Sequence, residues 1–77
     1  MTMQQIESKF AETIKKEIGV NVTVTNRGAN EWTISSIGEG AEQAAEWLQA
    51  NGLMTVTSSE TYVEDGETEF YFYAVTK

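Results

Sequence analysis

Apolar residues recur at three- and four-residue steps at the start of the chain. Met3, Ile6, Phe10, Ile14 and Ile18 make one stripe, and Glu7, Lys9, Glu12, Lys15 and Lys16 fall outside it. That period predicts an amphipathic helix with one face on a core. Thr2 followed by Gln5 matches a capping box, and Gly19 supplies the C-terminal cap. The period then drops to two. Val20, Val22 and Val24 alternate with Asn21, Thr23 and Thr25, which predicts a half-buried strand, with a turn over Asn26 to Asn30. Trp32 and Ile34 point inward from a second strand, and Thr33 and Ser35 lie on its other side. Gly38 and Gly40 interrupt the pattern before a second helix, roughly Glu39 to Asn51 and ended by Gly52. Its inner face is Ala41, Ala44, Ala45 and Leu48, small enough to lie close on a sheet.

The most firmly patterned stretch is Leu53 to Lys77. Asp65-Gly66 sits between two alternating runs, and this pair tolerates the positive φ that both central positions of a type I′ turn require. A two-residue turn sets the register, with Glu64 opposite Glu67, Val63 opposite Thr68, Tyr62 opposite Glu69, Thr61 opposite Phe70 and Glu60 opposite Tyr71. One face then carries Val63, Phe70 and Phe72 and belongs in the core. The other carries Glu60, Tyr62, Glu69, Tyr71 and Tyr73 and looks outward. Met54 and Val56 share the parity of the outward residues, so a bulge at Ser58-Ser59 is expected to return them to the core side. The whole predicts a single α+β domain in the order αββαββ, a four-stranded antiparallel sheet with two helices on one face. The apolar run Phe70 to Val75 belongs in a central strand, which favours the strand order 1-2-4-3.

Composition narrows the chemistry. The 77 residues include no histidine and no cysteine, so the usual base near neutral pH, thiol catalysis and the common zinc ligands are missing. The remaining acids are expected on convex elements, where nothing would raise one carboxyl pKa above another for acid–base work. We therefore expect no enzyme, no cofactor and no metal. Absence of cysteine, of an apolar leader and of any run near the roughly 18 residues of a membrane span leads us to expect a soluble, cytoplasmic protein. Asn21-Val22-Thr23 matches a glycosylation sequon but lies within the strand alternation, so we read it as chance.

Two other motifs dissolve on inspection. Gly38-Glu39-Gly40-Ala41-Glu42 stands where a phosphate loop would, but Glu39 and Glu42 would repel a phosphate. Glu64 to Glu69 lacks the alternating oxygen ligands that a calcium loop has ahead of its glycine. Lys9, Lys15 and Lys16 form a small patch interrupted by Glu12. Five basic residues against twelve acidic ones cannot supply the phosphate contacts that dominate nucleic-acid affinity.

The placement of charge is more informative than its sum of −7. Four acids and four basic residues cancel up to Gly38, whereas Glu39 to Lys77 holds eight acids against Lys77 alone. Glu39, Glu42 and Glu46 are like-charge neighbours along the second helix. The helix dipole compensates the first two and leaves Glu46 without compensation. Tyr62, Tyr71 and Tyr73 are amphipathic anchors of a kind enriched at protein interfaces, and Glu60, Glu64, Glu67 and Glu69 surround them. These ten residues are the candidate partner-binding set. The partner they predict is a protein with a basic surface, such as a nucleic-acid-binding protein, and neither nucleic acid itself nor a membrane.

In size, charge and lack of catalytic residues the chain resembles the small acidic inhibitors encoded by phages and mobile elements, including DNA mimics and some anti-CRISPR proteins. No motif carries that likeness. Two alternatives stand beside it: a structural or assembly module that forms a homodimer through the tyrosine face, and a small-ligand-binding domain with a pocket near Trp32 or Trp47.

Overall fold

The computed structural model describes residues 2–76, apart from the side chain of Met3. The expectation that Met3 opens the apolar stripe therefore lies outside what is described. The elements are α1 (Met3–Ile18), β1 (Thr23–Gly28), β2 (Glu31–Ile37), α2 (Gly40–Ala50), β3 (Met54–Glu64) and β4 (Glu67–Thr76). The strands form one antiparallel sheet in the order β1-β2-β4-β3, as the apolar run Phe70 to Val75 predicts.

Both helices form for local reasons. In α1 the Thr2 hydroxyl accepts from the Gln5 N–H at 3.3 Å and the Gln5 side chain accepts from the Thr2 N–H at 2.8 Å, while Gly19 closes the helix at φ +75°. The start of α2 is capped by a residue outside it. Ser36 Oγ accepts from the Ala41 N–H at 2.7 Å and donates to the Gly38 carbonyl at 3.1 Å. Glu39, at the helix boundary, makes no such cap. At the other end Gly52, with φ +68°, lets its own N–H reach the Gln49 carbonyl and the Leu53 N–H reach Leu48, a Schellman arrangement.

The helices cover one face of the sheet. Ile14 of α1 and Ala41, Ala44 and Leu48 of α2 join Val24, Trp32, Ile34, Met54 and Ala74 in one buried cluster, with Phe10, Phe70 and Phe72 packed against it. Trp32 stands edge-on to Phe10, ring centres 5.1 Å apart. Its buried indole N–H has no hydrogen-bond partner among the described residues.

Four expectations shift. β1 begins at Thr23 rather than Val20: pairing with β2 starts at Thr23, and the backbone at Asn21 passes against the start of α2. A Cβ on Gly40 would lie 3.3 Å from the Asn21 carbonyl and 3.5 Å from Val20 Cβ. Val20 and Val22 still pack on the core. β1 then continues into the expected turn, with a bulge between Asn26 and Gly28. There the Asn26 side chain donates to the Ala29 and Glu31 carbonyls and accepts from the Gly28 N–H.

In β3 the extra residue is Thr57, just before the expected Ser58-Ser59. The register runs Val56 to Ala74 and then Ser58 to Tyr73, and the Thr57 hydroxyl donates to the Tyr73 carbonyl at 3.1 Å. The bulge does restore parity, since Met54 is buried. Val63, expected in the core, is 73% exposed. The molecule measures 37 × 25 × 24 Å, and the tip of the β3–β4 hairpin runs on past the helix layer.

Candidate protein-binding surface

The register of β3 and β4 is the one read from the Asp65-Gly66 turn, pair for pair from Glu64–Glu67 to Glu60–Tyr71. Both turn residues adopt positive φ, +52° and +79°. Because successive side chains alternate, the face away from the helices is built in rows. Ile37, Glu69 and Tyr62 form one row across β2, β4 and β3. Ser35, Tyr71 and Glu60 form the next, and Thr33, Tyr73 and Ser58 the third.

Hydrogen bonds tie these rows together. One carboxylate oxygen of Glu60 accepts from the Tyr62 hydroxyl at 2.5 Å and from the Tyr73 hydroxyl at 3.1 Å. The Tyr71 hydroxyl donates to Glu69. Tyr62 and Tyr71 meet edge to face, ring centres 5.3 Å apart at 89°. From β1 the Arg27 guanidinium reaches over the Tyr73 ring, 4.9 Å from its centre.

The electrostatics follow from these contacts. The hydroxyls of Tyr62 and then Tyr73 hold the Glu60 carboxyl below its ordinary pKa, with help from the charge of Arg27 and against a smaller effect of desolvation. The same hydrogen bonds push Tyr62 and Tyr73 up, and the bond to Glu69 pushes Tyr71 up. At neutral pH the tyrosines therefore stay neutral donors and Glu60 stays a charged acceptor. The face can present fixed negative charge between flat aromatic surfaces.

At the hairpin end the face carries a shallow groove of about 240 Å³ lined by Ile37, Tyr62, Glu64, Asp65, Glu67 and Glu69. Ile37 is 62% exposed and Tyr62 53%, so apolar surface stands directly among the carboxylates. The fold thus brings Glu60, Tyr62, Glu64, Glu67, Glu69, Tyr71 and Tyr73 onto one hairpin. It does not bring in the helix acids. Glu42 and Glu46 are exposed on α2, whose opposite side is buried against the sheet, and Glu39 sits at that helix's start.

Two residues of the surface escaped the sequence reading. Arg27 lies in the stretch whose composition predicts a turn, although it continues the outward parity of Thr23 and Thr25. Ile37 likewise continues that of Thr33 and Ser35.

Elsewhere an apolar groove of about 220 Å³ lies between the helices, lined by Ile6, Lys9, Phe10, Thr13, Trp47 and Leu53. Trp47 is half-buried there, whereas Trp32 is in the core. Among the described residues no group of three or more acidic side chains is placed to hold a metal ion, and no helix is long and apolar enough to cross a membrane. The chain matches no protein-family model, and no curated protein and no solved structure is significantly similar to it.

Proposed function

We propose that this chain is a non-catalytic inhibitor that binds a protein partner through its open sheet face, filling a basic, nucleic-acid-binding site with fixed carboxylates. The observation that carries the reading is the shared acceptor at Glu60. One carboxylate bonded by Tyr62 and Tyr73 holds two rings and a charge in a fixed arrangement on a rigid sheet. Preorganised groups of this kind lose little side-chain entropy on binding. Negative charge spaced over such a face is complementary to a surface that receives phosphates, and flat rings beside it can stack where bases would. From Glu39 to Thr76 the sequence contains no basic residue, so nothing on the hairpin opposes a cationic partner. This is the physical logic of a DNA mimic, and inhibitors of the phage and anti-CRISPR kind use it.

The test is capture from bacterial lysate by the wild type beside a Glu60→Lys, Glu67→Lys, Glu69→Lys variant, at low and high salt, followed by elution with duplex DNA or RNA. The proposal expects a nucleic-acid-binding protein that is held by the wild type alone, released by salt and displaced by the polyanion. A partner held equally by the variant, or indifferent to the polyanion, overturns it. Dimerisation of the free protein through the tyrosine face, seen by sedimentation at micromolar concentration, would favour an assembly module instead.

A further inference from the structure

The two edges of the sheet are treated differently. Edge strands expose unpaired backbone groups, and proteins guard them with short length, bulges, lysine, proline or a covering element. β1 is short, bulged, and overlaid by α1, whose Glu7 carboxylate accepts from the edge-facing Asn26 N–H at 2.6 Å. β3 is covered at its beginning, where the Gln49 side chain of α2 accepts from the Val56 N–H at 3.2 Å and the Thr57 bulge follows, and beyond that its guards are the carboxylates Glu60 and Glu64, which repel another acidic strand but not a basic one. Beyond the bulge, Ser58 to Glu64 continue without a further irregularity, contain no lysine or proline, and are all exposed.

Backbone geometry says which groups are open there. In a hairpin with a two-residue turn the residues flanking the turn form a hydrogen-bonded pair, so Glu64, Tyr62 and Glu60 direct their N–H and C=O groups to β4. Ser59, Thr61 and Val63 direct theirs outward. A strand laid antiparallel along this edge would place alternate side chains beside Glu60, Tyr62 and Glu64 on the acidic face. Its other side chains would lie beside Ser59, Thr61 and the exposed Val63.

We propose that the Ser59–Val63 edge of β3 receives an extended segment of the partner as a fifth, antiparallel strand, with basic residues at alternate positions facing Glu60 and Glu64. This rests on the reading of the acidic face as a partner-binding surface and specifies how the partner is held. Main-chain hydrogen bonds supply the attachment, and alternating charge supplies the selection. Charge complementarity decides against a second copy of this chain. Pairing β3 with its own equivalent would bring together two hairpins rich in glutamate, from chains of net charge −7 each.

The test uses the wild-type protein and a short synthetic peptide alternating arginine and threonine, with two further forms N-methylated at every threonine or at every arginine. Charge is identical in all three. In the proposed pairing the threonine amides bond to β3 and the arginine amides face away. The parent peptide and the form methylated at arginine should therefore bind alike, and the form methylated at threonine should bind at least about tenfold more weakly. Hydrogen exchange at the amides of Ser59, Thr61 and Val63 should slow by a similar factor with the parent peptide.

Equal binding of all three peptides, with exchange at those amides unchanged, overturns the strand addition and leaves the acidic-face reading standing. Binding by none of them, at low salt, overturns both. Protection of the same amides that rises with protein concentration in the absence of peptide assigns the edge to a second copy and overturns the proposed partner.

Discussion

The guanidinium of Arg27 stands 4.9 Å from the centre of the Tyr73 ring, and the hydroxyl of that ring donates to Glu60. A basic side chain of the edge strand β1 is thereby set beside the tyrosines and carboxylates of the hairpin. It steadies the ring through a cation–π contact and would weaken the field met by the proposed cationic partner.

Arg27→Gln should therefore tighten association with a basic partner, opposite in sign to any loss of acid from the same face. A unit charge about 10 Å away in water-like surroundings changes affinity about twofold, and the difference should vanish in high salt. Titration calorimetry at two salt concentrations checks this. Weaker binding by the variant would mean that Arg27 touches the partner directly.

Stability should depend on pH at both ends of the scale. The folded pKa of Glu60 is depressed, so its contribution is present above the ordinary carboxylate range and is lost as pH falls through the folded value. Tyr62 and Tyr73 are shifted up by the same carboxylate. Their contribution is present below the ordinary tyrosine range and is lost as pH rises through their folded values. Urea midpoints of the wild type relative to Glu60→Gln should be level across neutral pH and fall away at the acid and alkaline limits. In tyrosinate absorbance the variant should bring Tyr62 and Tyr73 back towards ordinary titration, while Tyr71 stays raised by Glu69. A wild-type advantage that persists unchanged into acid would contradict the network.

Ser36→Ala tests the start of α2. Its hydroxyl satisfies the Ala41 N–H and bonds the Gly38 carbonyl at a half-buried position, so its loss should cost about 1–2 kcal/mol. A threonine at the same place should recover part of that. Denaturant unfolding measures both, and a neutral alanine would show that water replaces the cap.

Much of this architecture was legible because it is locally encoded. Asp65-Gly66 can take positive φ at both positions, and that single turn dictates the pairing of Glu60 through Glu64 with Glu67 through Tyr71. The helices were legible in their three- and four-residue apolar steps, and the bulge in the broken parity of Met54 and Val56. Its place at Thr57 was not, because that depends on the hydroxyl finding the Tyr73 carbonyl across the sheet.

The order of the elements, the register of the last hairpin, the strand order and the side chains that share a hairpin face were all readable from local pattern. What covers those faces depended on how the elements pack across one another. An eleven-residue helix spans about 16 Å and an eleven-residue strand about 36 Å, so α2 cannot shield the length of β3, and Val63 is left in water though its parity is that of the core. The same layering carries Glu42 and Glu46 to the far side of the molecule from the tyrosines, and it leaves Arg27 free to reach Tyr73. Parity is a property of the chain, whereas coverage depends on the lengths of elements packed across one another, and no local pattern records that.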